Sequence, residues 1–525
     1  MTTPPTPDPL PPPDPNNPRD LRNTRAYRRG KEMERREREQ QKLTITEPVP
    51  VPVPVTEEND GAVSVVVVNA ADGVYNDHRN ALEFLSLHHE NVRFCWCRRQ
   101  WVEWDGTRWE PDMGAGMQER ARHFSETILQ QAAECSYPTG KELMKRGREL
   151  GELAGFTALL KTARSDPRVS LDDMSVWDAD LFLLGVKNGV VNLRDCSFHP
   201  AERDMMITKS AGVSYDAAAT CPKWEAFVER VLPDPEVRHF MQVSAGYWLT
   251  GSTKAQCFWF LYGSGANGKT TFLETLYALS SSYSQKANGM LAEKPTDNNT
   301  LGELAKLPGV RLLVGQEVSD SMRLNESLVK DITGGETIGA RHLYKPFFEF
   351  RPSCKLVMFG NHRPTISGTD GGIWRRVRLV PFTTIIPKEQ QNDNLPEELL
   401  TELPGILNWC LRGLAHYHAH GLPMPPAVQE ATETYREDSD VLGEFLQEAT
   451  VRVQDLDEKV LLSGLYEKYQ TWADDSGRRT QLNKQSLRKR MEDRGYVVKH
   501  TNKGKAICGL RLRSELDPFT QDPFE

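Results

Sequence analysis

Apolar residues recur along the chain with two spacings, one typical of amphipathic helices and one typical of strands. Residues 117–163 carry the three-to-four-residue spacing of helices, with an interruption around Tyr137-Pro138. Two further helices are predicted over residues 224–231 and 236–249, and they lead into residues 256–262, an apolar run of strand length. From residue 256 to about residue 382 strands and helices alternate, which is the pattern of an α/β ATPase.

Shorter segments on either side of this region predict further hairpins and helices. Residues 101–104 and 107–109 flank Asp105-Gly106, a pair that suits a type I′ turn, and therefore predict a hairpin. Short strands are predicted over 181–184 and 189–193, and helices over 403–420 and 427–435. The last unit, 441–512, has three helical segments (444–450, 461–473, 484–494) and two strands (496–500, 506–511) around a turn at 502–504. Three helices and a hairpin are typical of a winged helix.

Composition separates the start of the chain from this core. Of the 34 prolines, 13 fall before residue 55, which predicts an extended tail. The charged segment at 19–42 forms either a solvated tail or a nucleic-acid contact. The formal net charge of −8 excludes a protein that coats nucleic acid uniformly, so any such contact must come from local basic patches. Scattered cysteines and the lack of an apolar run of ~20 residues predict a soluble intracellular protein.

The strand at 256–262 is followed by a phosphate-binding motif, G-x-x-x-x-G-K-[ST], and then by a helical segment at 271–279. Backbone N–H groups of such a loop converge on a phosphate chain at a helix N-terminus. Lys269 would contact the β- and γ-phosphates, and the Thr270 hydroxyl would ligate Mg²⁺. The sequence therefore predicts ATP and Mg²⁺ as cofactors. The predicted ATP-binding residues are Gly263, Ser264, Gly265, Ala266, Asn267, Gly268, Lys269, Thr270 and Thr271.

Two more strands are expected to supply the remaining catalytic groups. Residues 311–317 form a strand that ends in Glu317, which would help to bind Mg²⁺ and would act as the base or orient the attacking water. Gln316 takes the place of the first of the usual two acids. Residues 355–360 form a strand that precedes Asn361, whose amide can bond both the γ-phosphate and the lytic water.

The order of these motifs resembles that of superfamily-3 helicases. More narrowly, the chain is similar to the helicase part of phage and plasmid primase–helicases, which are related to the poxvirus-type primase–helicase. The resemblance covers roughly residues 95–450 and includes segments at 187–190, 330–336, 341–347, 368–376 and 404–409. It implies an AAA+-like P-loop core in ring hexamers, which hydrolyse ATP between subunits and move along DNA, typically 3′→5′.

The resemblance also assigns a role to a pair of arginines. An arginine from a neighbouring subunit would neutralise charge that develops on the transferred phosphoryl group. By position, Arg376 is the better candidate for this finger and Arg375 the second. Ordinary salt bridging is the alternative.

Two regions are expected to contact DNA. In these helicases a hairpin between the Glu317 and Asn361 strands projects into the ring channel; residues 337–343 and 347–350 can form its arms, with Lys345 at the tip beside His342 and Tyr344. The basic C-terminal unit would dock on duplex DNA. For the hairpin the alternative is a solvated surface turn, and for the C-terminal unit it is a protein-interaction module. The contacts expected from the C-terminal unit are Lys484, Arg488, Lys489 and Lys503.

These features together predict an ATP-dependent, hexameric replicative DNA helicase of a phage, prophage or plasmid, in the cytoplasm of a bacterial host. The 75 residues before the helical domain are too few for a primase, so a separate primase or polymerase is an expected partner. The alternatives are an ATP-switched origin-binding protein that does not unwind DNA, and a nucleotide kinase. The predicted organisation is a disordered tail (1–75), an N-terminal helicase-associated domain of helices and strands (76–235), the ATPase (236–400), a helical extension (401–440), the winged helix (441–515) and a tail (516–525).

Overall fold

The computed structural model describes residues 75–114, 116–287, 289–293, 298–315, 322–344, 347–366, 371–476 and 482–514. Apart from Tyr75, the two predicted tails lie outside these ranges, and so do Gln316, Glu317 and Lys345. No helix within these ranges is both long enough and apolar enough to span a lipid bilayer.

The N-terminal part combines four helices with a four-stranded sheet. The helices confirm the predicted pattern over 117–163 and add a second break, at Glu152. A cluster of buried side chains that includes Phe84, Phe124 and Leu159 joins them to the first strand. The elements are α1 (Asp77–His88), β1 (Val92–Cys95), β2 (Gln100–Trp104), β3 (Trp109–Pro111), α2 (Gly116–Glu134), α3 (Thr139–Gly151), α4 (Leu153–Ala163) and β4 (Ser170–Leu171). The strand order is β3-β2-β1-β4.

The hairpin of β2 and β3 is confirmed, but its turn is wider than predicted. Trp104 pairs with Trp109, so four residues connect the strands in place of two. Asp105 Oδ1 accepts hydrogen bonds from the backbone N–H groups of Thr107 at 2.6 Å and Arg108 at 2.8 Å. The Asp-Gly pair therefore closes the turn through the aspartate side chain, which a two-residue type I′ turn does not require.

The chain next forms a small antiparallel sheet and two helices, and all of these elements except the strand at Ser197–His199 lie near predicted positions. They are β5 (Leu183–Val186), β6 (Gly189–Asn192), β7 (Ser197–His199), α5 (Pro222–Val231) and α6 (Pro235–Trp248). Asp234 caps α6, since its side chain accepts hydrogen bonds from the N–H groups of Glu236 and Val237.

The centre of the molecule is a five-stranded parallel sheet. Its order, β14-β8-β13-β10-β9, places the strand before the phosphate-binding loop next to the strand before Asn361. The elements of this part are β8 (Phe258–Tyr262), α7 (Lys269–Ser280), β9 (Ser284–Ala287), α8 (Asn298–Leu304), β10 (Leu312–Gly315), α9 (Glu326–Gly334), β11 (Ile338–Ala340), β12 (Phe348–Phe350), β13 (Lys355–Gly360), α10 (Gly371–Trp374) and β14 (Val377–Pro381). A separate antiparallel hairpin is formed by β11 and β12.

Both faces of the parallel sheet are covered by apolar side chains. Along β8, Trp259 and Leu261 belong to one buried cluster, and Phe258 and Phe260 belong to another. Side chains of successive strand residues point to opposite faces, so this alternation means that both faces are packed. The first cluster extends from Leu184 to Val428. Residues from the predicted N-terminal domain, ATPase and helical extension therefore share one core.

The C-terminal part is helical and ends in a small antiparallel unit. Three helices and the strand pair of 498–508 are the elements predicted for a winged helix, and three additional short strands accompany them. The elements are α11 (Leu395–Thr401), α12 (Leu403–His420), α13 (Pro426–Ser439), α14 (Val441–Ala449), β15 (Thr450–Arg452), β16 (Lys459–Leu461), α15 (Leu462–Asp475), α16 (Lys484–Asp493), β17 (Val498–Thr501), β18 (Gly504–Cys508) and β19 (Leu510–Leu512). β18 lies between β16 and β17, and β19 pairs with β15.

Candidate functional site

The phosphate-binding loop turns sharply between β8 and α7. Its backbone φ is positive at Gly265 (99°), Ala266 (47°) and Gly268 (79°), and Gly268 caps the N-terminus of α7. A Cβ atom at Gly268 would lie 2.6 Å from Cγ1 of Val231. Glycine is therefore required at this position both by the left-handed backbone and by the space available.

Lys269 connects this loop to the neighbouring strand. Its side chain is buried, and Nζ donates hydrogen bonds to the Gly263 carbonyl oxygen at 2.8 Å, to Asn267 Oδ1 at 2.9 Å and to Asn361 Oδ1 at 3.3 Å. Asn267 in turn donates from Nδ2 to the carbonyl oxygen of Phe382 at 3.1 Å. Two predicted site residues that are 92 positions apart, Lys269 and Asn361, are thus in contact.

The strand register explains why these groups meet. Gly360 pairs with Tyr262, so Asn361 and Gly263, the next residues, lie at the same carboxyl edge of the sheet. The third strand, β10, ends at that edge too, because its last residue, Gly315, pairs with Met358 of β13. Gln316 and Glu317 follow β10 in the sequence and lie outside the described residues.

The remaining loop residues differ in their access to solvent. Ser264 and Thr270 are exposed and Thr271 is half-buried, whereas Asn267 and Lys269 are buried. Thr270 stands in the first turn of α7 and is exposed, so its hydroxyl is a candidate ligand for a metal ion. The donor set that could hold Mg²⁺ therefore begins with this hydroxyl, and phosphate oxygens would complete it.

The arginine pair lies at the opposite edge of the sheet from the loop. Val377, the first residue of β14, pairs with Phe258 at the start of β8. Arg376 is buried; its Nε donates to Thr333 Oγ1 at 3.1 Å, and Nη1 donates to the Gly372 carbonyl oxygen. Arg375 is exposed. The preference for Arg376 over Arg375 therefore does not fit the side-chain geometry, because Arg376 is held within its own subunit.

The expected DNA-binding hairpin ends in exposed residues. Its arms pair as predicted, with Ile338 opposite Phe350, and the rings of His342 and Phe348 stack at 5.9 Å. Tyr344 has a positive φ of 61° and is 95% exposed. Lys345 lies outside the described residues, so the contact proposed for it stays a prediction.

The basic residues of the C-terminal unit do not all face solvent. Lys484, Lys489 and Lys503 are exposed, whereas Arg488 is half-buried and donates to Glu492 Oε1 at 2.9 Å. Burial lowers the pKa of Arg490, which packs within the unit. Three of the four predicted contacts, one of them on the turn between β17 and β18, are thus accessible to DNA.

An arginine that the sequence pattern did not single out joins the site to the C-terminal helices. The Arg363 guanidinium lies between the ring of Tyr262, 5.4 Å from its centroid, and the ring of Tyr435, 5.2 Å from its centroid. It also donates to Asp438 Oδ2 at 2.9 Å. Only its position two residues after Asn361 could have drawn attention to it, since two of its partners lie on α13.

The chain is similar in sequence to several known proteins. The family model described as "D5 N terminal like" matches residues 81–233, and a "Family of unknown function (DUF5906)" matches residues 261–376, which contain the loop, Asn361 and the arginine pair. "Putative helicase L207/L206" of Acanthamoeba polyphaga mimivirus is 30% identical over 318 residues, which cover 56% of this chain and 33% of that protein. The chain is a distant relative of the D5-type viral helicases and primases.

Two further proteins show the same distant similarity. "Putative helicase 022R" of Frog virus 3 is 27% identical over 47% of this chain and 27% of its own length. "Primase D5" of Fowlpox virus is 23% identical over 38% of this chain and 26% of its own length. The chain thus spans about a third or less of the length of these three relatives. The parallel five-stranded sheet is consistent with the P-loop core of such helicases.

Proposed function

We propose that this D5-type chain is an ATP-dependent replicative DNA helicase motor. The observation that carries the proposal is the contact between Lys269 and Asn361 at the carboxyl edge of a parallel sheet. A lysine on a phosphate-binding loop and an amide on the adjacent strand are the two groups that a γ-phosphate and its attacking water require.

The catalytic roles follow from this placement. Lys269 would exchange the oxygens of Gly263 and Asn267 for those of the β- and γ-phosphates when a nucleotide binds. Thr270 would ligate Mg²⁺ together with Glu317, which lies outside the described residues and would activate or orient the water. Asn361, already within hydrogen-bond distance of Lys269, aligns that water with the γ-phosphate.

The position of the arginine pair supports a shared active site. β14 has five residues and a length of about 16 Å, so Arg375 at its amino end lies far from the loop of its own chain. An exposed arginine there is suited to reach the loop of an adjacent subunit, as arginine fingers do. We therefore propose a ring, a hexamer by resemblance, in which Arg375 acts on the neighbour's nucleotide.

DNA contacts are proposed at two places. The exposed β11–β12 hairpin, with His342 and Lys345, would follow a single strand through the ring, moving 3′→5′. Lys484, Lys489 and Lys503 would hold duplex phosphates, with Arg488 contributing if it leaves Glu492. A phage, prophage or plasmid replication system in a bacterial host remains the proposed setting.

Hydrolysis assays on matched variants test the proposed nucleotide site. Lys269→Ala should lose both nucleotide binding and hydrolysis, whereas Asn361→Ala should bind nucleotide and hydrolyse it slowly. Lys306→Ala is the control, because Lys306 is an exposed lysine paired with Glu303 at 2.8 Å and lies outside the site. Hydrolysis by Lys269→Ala at the rate of this control would contradict the assignment.

A further inference from the structure

A surface groove runs between the end of α2 and the length of α3. It has a volume of about 610 Å³, and Ala132 and Met144 form its apolar floor. Gly147 brings the two helices close together, since a Cβ there would lie 2.7 Å from Leu129 Cγ. Ser125 Oγ adds a hydrogen bond to the Gly147 carbonyl oxygen at 2.8 Å. The walls of this α2–α3 groove are therefore held by tight helix packing.

One wall of the groove is a row of cations. Lys141, Lys145 and Arg148 line it at successive turns of α3, and all three are exposed. At about 1.5 Å per residue the row spans about 10.5 Å. Glu149 is the one acid in the lining, and it pairs with Lys145 at 3.8 Å. Within the described ranges no ion pair involves Lys141 or Arg148, so the groove carries net positive charge.

An aromatic ring stands at one end of this row. Tyr137 lines the groove and is 80% exposed, which is unusual for a side chain that gains from burial. An accessible ring beside a row of cations is the arrangement by which proteins hold single strands, with bases stacked on the ring and phosphates on the cations. The row is as long as about three stacked nucleotides at ~3.4 Å each.

We propose that the α2–α3 groove binds single-stranded nucleic acid, with phosphates on Lys141, Lys145 and Arg148 and a base on Tyr137. The row of cations in the lining favours this anionic ligand over the apolar face of a partner helix. The site is separate from the β11–β12 hairpin and the C-terminal unit. It does not depend on ATP hydrolysis.

Fluorescence anisotropy with a labelled oligothymidine and the full chain, without nucleotide, tests the site. Lys141→Ala/Arg148→Ala should reduce the log–log salt slope of binding by about 1.4, at about 0.7 per lost phosphate contact. Tyr137→Ala should weaken binding about 5-fold or more, and Tyr137→Phe should restore it, because stacking needs only the ring. The matched control is Lys161→Ala/Lys254→Ala, which removes the same charge from exposed lysines outside the groove.

Cross-linking locates the contact independently of affinity. An oligonucleotide that carries 4-thiothymidine should cross-link to the segment of Tyr137 in wild type, and this product should be lost in Tyr137→Ala. Unchanged affinity and salt slope in the folded double variant, with cross-links confined to other regions, would overturn the proposal. Binding of a polyglutamate peptide to wild type but not to the double variant, with DNA affinity unchanged, would instead identify a surface for an acidic protein.

Discussion

An arginine finger supplied by a neighbouring subunit predicts that two inactive variants restore each other's hydrolysis. Arg375→Ala leaves its own phosphate-binding loop intact but cannot serve the next subunit. Lys269→Ala lacks a working loop but keeps its exposed Arg375. A mixed interface that joins the loop of the first variant to the arginine of the second is complete.

The expected size of the recovery follows from counting interfaces. In a random equal mixture, half of the loops and half of the arginines are intact, so about a quarter of head-to-tail interfaces are complete, whatever the number of subunits. Loss of a finger lowers hydrolysis by roughly 10³–10⁵-fold, so the separate variants contribute almost nothing. A recovered rate near a quarter of wild type is therefore the upper limit.

The assay is steady-state ATP hydrolysis over a series of mixing ratios at constant total protein. Activity should peak near equal amounts and vanish at both ends. Arg436→Ala, another exposed arginine, is the matched control and should hydrolyse ATP normally. Absence of recovery, although labelled subunits exchange between assemblies, would refute the shared site.

Arg376, the buried neighbour of Arg375, should respond differently to substitution in the same experiment. Arg376→Ala removes hydrogen bonds to Thr333 and Gly372 from a buried position, so it should lower the free energy of unfolding by roughly 1–3 kcal/mol. A thermal shift in Arg376→Ala with none in Arg375→Ala is expected. If instead Arg376→Ala is as stable as wild type and shows the complementation, the finger is Arg376.

Three further predictions concern single features. Gly268→Ala should reduce both nucleotide affinity in titrations and the Tm, because its Cβ would meet Val231; wild-type affinity would contradict the loop geometry. Burial lowers the pKa of Lys355, so the unfolded chain binds this proton more tightly, and the free energy of unfolding should rise with pH towards 10.5. Lys355→Met should therefore show a flatter rise in Tm between pH 8 and 10 than wild type. An identical rise in both proteins would contradict this. Lys484→Ala/Lys503→Ala should flatten the salt dependence of duplex binding by about 1.8 in log–log slope without changing hydrolysis, and an unchanged slope would favour a protein-docking role.

The features that could be predicted from the sequence are those that depend on residues close together along the chain. The phosphate-binding loop and its strand and helix are encoded in one continuous stretch, residues 258–280, and the helix at Leu403–His420 has the bounds that its apolar pattern predicted. By contrast, β9 has the sequence Ser-Gln-Lys-Ala and becomes a strand through its pairing with β10. The local pattern of apolar and polar residues does not predict such a strand.

Long-range contacts decided the site details that the sequence pattern missed. Arg376 was preferred from its spacing alone, yet its partner Thr333 lies 43 positions earlier and keeps it buried. Arg363 likewise contacts the ring of Tyr435 and donates to Asp438, which lies 75 positions later in the chain. The contact of Arg376 depends on how α9 packs against α10, and those of Arg363 depend on how α13 packs against β14. The spacing of apolar residues specifies neither.

Strand displacement on a forked duplex tests the central proposal most directly. A fluorescent strand should be released by wild type with ATP and Mg²⁺, but not by Lys269→Ala and not with a non-hydrolysable ATP analogue. Forks that carry a single-stranded 3′ or 5′ arm report the direction of movement, and release is expected from the 3′ arm. Rapid ATP hydrolysis by wild type without release from either fork would contradict a helicase and would favour an ATP-switched DNA-binding protein.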